Sequence, residues 1–594
     1  MKSAQDRFIE LPELIVLLAS CLPRNDLSRF MRTCRQLHTL CRPNFYSEVD
    51  LLLEYKTLWK YKDGLKAVAR NSVLIQSLKL GMSSGSLYYD ALQDALQERL
   101  LTAGTTDVEV KEPLFPSASN TINTGPTTLA QSFEPAHFVV RLRDILQCSP
   151  QLTELHLHQI TTSQQSHIDH LAVTIAGIAT LQTLVLTILS ADDLLKNIAL
   201  TMFFACPLLI RKLSINVFSL ELLADLPAAD TLQEQRHQQR HGPLYRLTEL
   251  SMAVKQPFKL SDVLAVLEHC PELVSVNFPH IRHIASNIQV AAATIVNLCP
   301  KLRNLSLLSY NDDSFEQMMF SILKRIPKDT SESFSHEFYY EKDNNSLAET
   351  LARHFNTLRS IKLENCSSIR PEQIQSILFN CPLLEVFVNT EAFAHDLDIT
   401  VGHLVAQEWA STRIVELALA VDIGFIDIPR YKDQINFSQA DKEQVVLLET
   451  FYRQIGLQTT LRSLHLNVLV SADALDMESN PLRCRDYVFP GLLSLGDESD
   501  EGRWGGLEEL AGLKNLEVIR GSFNAEAMMA EGYEFEERDT EWIVLHWPKL
   551  RRIEFDLPDW HYGPSTNPYI DWLRAKLPQV TIVATQNLMM DNTV

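Results

Sequence analysis

The sequence predicts an α/β solenoid: strand–helix units stacked into a horseshoe, parallel strands on its concave face and helices on its convex face, behind a small all-helical head. Three observations carry this. An aliphatic triplet, spaced by two and then one variable residue, recurs in one phase from Leu152-Leu155-Leu157 to Leu550-Ile553-Phe555. Successive first positions are often 26 to 30 apart: Leu181 follows Leu152 by 29, Leu384 follows Leu358 by 26, and Ile414 follows Leu384 by 30. One unit is complete within residues 356–382, NTLRSIKLENCSSIRPEQIQSILFNCP, where Leu358, Ile361 and Leu363 mark a strand. Pro371 then suits a first helical position, and Ile374, Ile377 and Leu378 follow at helical spacing. A unit this small cannot bury its own apolar face, so units must stack.

One short strand and one amphipathic helix in roughly 26 residues is the leucine-rich-repeat signature. Taken in order, residues 1–50 read as the helical head. Leu11-Pro12-Glu13 marks a helix start, with Leu14, Leu17 and Leu18 as its stripe. Asp26 is the expected N-cap of a second helix striped by Leu27, Phe30, Met31, Cys34, Leu37 and Cys41. Residues 51–101 read as a capping segment and first repeat, with Ile75, Leu78 and Leu80 in the anchor positions. Residues 102–136, rich in Thr, Ser, Asn, Gly and Pro without periodicity, read as a flexible insertion. The solenoid then runs over 137–594, with loop insertions expected near 222–244, 327–347, 422–443, 472–506 and 556–568. LPQVTIV, from Leu577, reads as its last strand.

Composition narrows the function classes. At 594 residues the chain exceeds one compact core, and 46% hydrophobic residues argue against global disorder. A net charge of −21 disfavours nucleic acid as the main partner. No apolar window is long enough for a membrane span, and the N-terminal residues lack the pattern of a secretory signal. Five of the ten cysteines, Cys148, Cys206, Cys270, Cys299 and Cys381, share one repeat position before Pro or Ser-Pro. That regularity implies small, reduced, buried side chains in an intracellular protein. No phosphate-binding glycine loop is present, and neither His237/His241 nor His156/His158 has further ligands nearby. No metal, cofactor or catalytic residue is expected.

The head resembles an F-box, whose pattern opens with Leu-Pro-x-Glu and an aliphatic helix and continues through Pro-x-x-Asp-Leu to Cys-Arg. Leu11, Pro12, Leu14, Leu17, Leu22, Pro23, Asp26, Leu27, Phe30, Cys34 and Arg35 match it. His38 stands where an aromatic is common, and Phe45-Tyr46 replace a Leu-Trp. With the repeats behind it, the chain is similar to the F-box and leucine-rich-repeat family. The resemblance implies a non-catalytic subunit of a cullin-RING ubiquitin ligase, cytoplasmic or nuclear. Leu11, Pro12, Leu14, Leu17, Leu22, Pro23, Leu27, Phe30 and Cys34 would meet the Skp adaptor that joins it to the cullin. The repeats would select an unidentified target protein. The other reading is a free-standing interaction scaffold whose helices merely cap the stack.

Alternation along each strand sends the anchors inward and the variable residues to the other face. Glu154, His156 and His158 on an early strand, Lys362 and Glu364 on a middle one, and His465, Arg520, Arg552 and Glu554 on late ones are therefore candidate target contacts. Mixed charge among apolar residues suits a protein partner. Trp504, Trp542, Trp547, Trp560, Tyr562, Tyr569 and Trp572 crowd the last hundred residues. They are either binding anchors or the cover of the solenoid's open end.

Overall fold

The computed structural model describes residues 11–52, 62–81, 88–89, 91–95, 142–162, 165–190, 195–219, 243–254, 256–282, 288–308, 313–339, 345–366, 370–390, 399–423, 439–468, 489, 491–497, 504–521, 537–557 and 568–586. The expected insertion at 102–136, and most of those near 222–244, 422–443, 472–506 and 556–568, lie outside them. The chain divides into two compact units, Met1–Ile281 with Leu298–Lys301, and Arg282–Asn297 with Leu302–Val594.

The first unit opens with helices α1 (Pro12–Cys21), α2 (Arg24–Met31) and α3 (Arg35–Ser47). Among the described residues seven strands of one sheet follow: β1 (Glu48–Leu51), β2 (Ser77–Gly81), β3 (Glu154–Thr162), β4 (Thr183–Ser190), β5 (Lys212–Ser219), β6 (Glu249–Val254) and β7 (Ser275–Phe278). Each pairs in parallel with the one before it. The stack therefore begins one strand earlier than expected: Val49 and Leu51 are buried, and β1 aligns Val49 with Leu78 and Leu51 with Leu80. Asp26 is not the cap of α2. That helix starts after Pro23, which places Asp26 inside its first turn. The expected second helix is broken at residues 32–34, where the Cys34 thiol accepts a hydrogen bond from the Leu37 amide and starts α3.

The second unit holds β8 (Asn304–Leu308), β9 (Ser333–Tyr339), β10 (Ser360–Cys366), β11 (Val386–Thr390), β12 (Glu416–Val421), β13 (Ser463–Val468), β14 (Val518–Gly521), β15 (Arg552–Leu557) and β16 (Thr581–Gln586). All neighbours are parallel and in matched register. Helices cross between them, among them α4 (Asp313–Arg325), α5 (Asn345–Ala352), α6 (Pro371–Asn380) and α7 (Gln439–Gly456). Both units are leucine-rich-repeat stacks of this α/β kind.

Anchors supply the core. Leu358, Ile361 and Leu363 are fully buried, as are Leu384, Phe387, Ile414, Leu417 and Leu419 one and two strands on. Each fully buried aliphatic side chain contributes about 1.5–3 kcal/mol. α6 follows its sequence closely, with Pro371 at its start and Ile374, Ile377 and Leu378 buried. Residues 327–347 are not an insertion; they contain a repeat. β9 pairs with β8 and β10, Ser331 and Phe334 take the first two anchor positions, and His336 takes the third, aligned with Leu307 and Leu363. Asn389 and Gly521 occupy the third position on β11 and β14.

Backbone amides step from repeat to repeat on the strand-entry side, as where Arg359 and Ser360 donate to the Glu332 carbonyl. Hydroxyls reinforce the ladder: Ser331 donates to the Arg303 carbonyl at 3.0 Å and Thr357 to that of Ser331 at 2.7 Å. The repeat cysteines Cys206, Cys270, Cys299 and Cys381 are buried, and Cys148 is half-buried. Cys206 and Cys270 donate back to the carbonyls of Met202 and Val266. Burial pushes the Cys299 and Cys381 thiols up to about 12.

Candidate docking surfaces

The helical head builds a small core from one side of each helix. Ile15 and Ala19 of α1, Leu27 and Met31 of α2, and Leu37 and Cys41 of α3 are buried together, with Leu22, Phe30, Cys34, Leu40 and Phe45 packed around them. Arg24 lies over the Phe45 ring, 5.2 Å from its centroid, and donates to the Glu48 carbonyl at 3.1 Å. The Asn44 amide reaches the Val16 carbonyl, and Arg42 bonds Asn71, so α3 is fastened to both α1 and the first repeats.

This core uses Ile15 and Ala19, so the leucine stripe of α1 faces the other way. Leu11 and Leu14 are each 47% exposed and Leu17 62%, and Val16 and Leu18 are exposed beside them. Pro12 and Pro23 are exposed, while Leu22, Phe30 and Cys34 are half-buried. Leu27 belongs to the interior, which corrects its expected place in an adaptor-facing set. A contiguous apolar helix face open to solvent marks a partner surface when nothing in the chain's own fold covers it.

The strand faces sort the other candidates. On β3 the His156 and His158 rings stack at 6.4 Å, with Glu154 exposed at the strand's start. Burial, then the Lys79 charge, lowers the His156 pKa. A register shift follows on β3, where Gln159 takes a positive φ of 53°. Lys362 on β10 reaches across β11 to Glu416 of β12, 3.6 Å away, over Val386 and Val388. Glu364 lies on β10 opposite Thr390 in register; its side chain is outside the described set.

Late strands bring His465 of β13, Arg520 of β14 and Glu554 of β15 into one row. His465 bonds Asn467 at 3.0 Å. Glu554 is not an exposed contact residue. Its side chain is 12% exposed and held by Arg520 at 3.5 Å and by Arg552, both through Nε. The strand-entry edge repeats this pattern, which the sequence reading missed. Glu385 sits between Arg359 at 2.7 Å and Arg413 at 3.6 Å, and Glu517 between Arg551 at 2.9 Å and Arg462 at 4.0 Å. Arg359, Glu385, Arg462, Glu517 and Arg551 share one offset from their anchors, so the alternation was present in the repeat alignment.

Of the C-terminal aromatics, Trp504 and Trp547 are interior. Their indoles donate to Glu449 at 2.9 Å and to the Leu510 carbonyl at 3.2 Å. Trp542 is half-buried and stacks on His546 at 4.2 Å. Trp572 is half-buried; Trp560 and Tyr562 lie outside the described residues, as do His237 and His241. Among the described residues no three His, Cys, Asp or Glu side chains gather where a metal could bind, and no helix is long and apolar enough to cross a membrane.

No protein-family model matches the chain, and no curated protein matches it. Among solved structures it is similar to the crystal structure of the Rad7 and Elc1 complex in yeast, at 15% sequence identity and a TM-score of 0.29. That match covers 57% of this chain and 80% of the other. So distant a likeness assigns no activity or partner to this chain.

Proposed function

We propose that the chain is the substrate-recognition subunit of a Skp-cullin-F-box ubiquitin ligase, acting in the cytoplasm or nucleus. The head docks on the Skp adaptor and the repeats hold the protein to be ubiquitinated. The supporting observation is the outward leucine face of α1, on the segment whose Leu11, Pro12, Leu14 and Leu17 match the F-box pattern. A helical cap needs a polar outer surface. This head instead leaves Leu11, Leu14, Val16, Leu17 and Leu18 in solvent. The scaffold reading draws on the fastening of α3 to Asn71 and its direct run into β1, as a cap would have. It leaves the α1 leucines without a purpose. No catalytic group is required, since the ubiquitin-transfer chemistry belongs to other subunits.

Co-purification of the full chain with a Skp adaptor tests the proposal. Leu14→Asp with Leu17→Asp places charge where the side chains are exposed, so the pair abolishes the complex and leaves the thermal transition of the repeats unmoved. A wild-type chain that elutes without the adaptor would overturn the ligase reading in favour of the scaffold.

A further inference from the structure

A chain of net charge −21 carries an arginine-rich face on β13–β15. Arg462, Arg520, Arg551 and Arg552 gather there against two carboxylates, Glu517 and Glu554. Lys514 and Lys549 stand at the neighbouring strand-entry turns, Lys549 bonded to Asn515 at 2.6 Å. The two carboxylates are the more covered members. Glu554 is sunk beneath Arg520 and Arg552, whose side chains stay 41% and 49% exposed. Each of these carboxylates is shared by two guanidiniums that are more exposed than it is, Glu554 at 12% and Glu517 at 26%. Side chains fixed in this way lose little entropy on binding, and a guanidinium fork matches a carboxylate in bidentate geometry.

We propose that this face docks an acidic segment of a protein partner, its carboxylates received by Arg520 and Arg552 and by Arg462 and Arg551 at the strand-entry edge. The proposal names the chemistry of the target in the preceding reading and rests on that reading for the target's fate. The docking itself needs no ligase. Charge complementarity argues for the occupant, because an acidic segment is repelled by the rest of the chain and attracted here. A long polyanion such as nucleic acid would meet the overall negative charge beyond this patch.

The test uses the full chain without any adaptor, and a fluorescein-labelled peptide of about eight residues alternating Glu and Ser, which puts its carboxylates on one face when extended. Fluorescence anisotropy at low salt should show saturable binding that weakens as salt rises. The same peptide with Gln for Glu should not bind. Arg462→Gln with Arg551→Gln, both exposed, should weaken binding about tenfold. Arg520→Gln, Arg552→Gln and Glu554→Gln together remove the buried charge along with its partners, and should do the same without lowering the unfolding midpoint. Absence of saturable binding, variants that bind like wild type, or an equal-length oligonucleotide that binds as tightly as the peptide would each overturn the proposal. Loss of adaptor binding with peptide binding intact would overturn only the ligase reading.

Discussion

His336 occupies a position that its neighbours fill with leucine, and this makes stability pH-dependent in a calculable way. Its ring is 1% exposed, aligned with Leu307 and Leu363, with the Phe334 ring 6.3 Å away. Burial lowers its pKa to about 4. The folded chain keeps the ring neutral down to that pH, while the unfolded chain takes up a proton near 6.5. Between these values the unfolded state binds more protons, so stability falls as pH drops from about 6.5 to about 4. A difference of about 2.5 pKa units at 1.36 kcal/mol each gives roughly 3 kcal/mol lost across that window. His336→Leu removes the titration and restores the aliphatic anchor. The variant should match or exceed wild type at pH 7.5 and exceed it by a further 2–3 kcal/mol, roughly, near pH 4.5. Urea unfolding followed by tryptophan fluorescence reports the right region, since six of the seven tryptophans lie in the second unit. His354, whose pKa burial also lowers, is present in both proteins and cancels in the comparison. Equal pH slopes in wild type and variant would refute the assignment.

The remaining predictions use the same packing logic. Leu27→Asp, unlike the exposed Leu14→Asp and Leu17→Asp pair, puts a charge into the head's core and should melt α1–α3, read as lost helical circular dichroism at a temperature where the repeats stay folded. Gly521 has a φ of 148°, and a Cβ there would meet the Leu466 carbonyl oxygen at 1.9 Å, so Gly521→Ala should lower the urea midpoint of the second unit sharply. Phe387→Ala empties a fully buried anchor and should cost about 3–5 kcal/mol by the same measurement. A maleimide should label exposed Cys21 in the native chain, whereas Cys299 and Cys381 should react only after denaturation.

Much of the stack was legible because its anchors obey two periods at once, alternation within the strand and recurrence every 26 to 30 residues. What escaped did so where one residue broke a pattern or where burial, not sequence, chose between faces. β9 was missed because Ser331 and His336 replace two of its three aliphatic anchors; only the flanking alternation of Ser333, Phe334 and Ser335 remained. β1 was missed because Val49-Asp50-Leu51 follows α3 without a turn signal, and so read as the end of the helical head. For α1 the stripe of Leu14, Leu17 and Leu18 was legible, and what the sequence did not show is that the head closes against α2 and α3 through Ile15 and Ala19 alone. A three-helix head of this size has too little interior to absorb a second row of leucines. The row it cannot absorb is therefore presented to solvent, and a cost of that kind is retained where another surface removes it. The same reasoning separates the arginines from the glutamates on β13–β15, since the fold covers the anion and leaves the two cations facing outward.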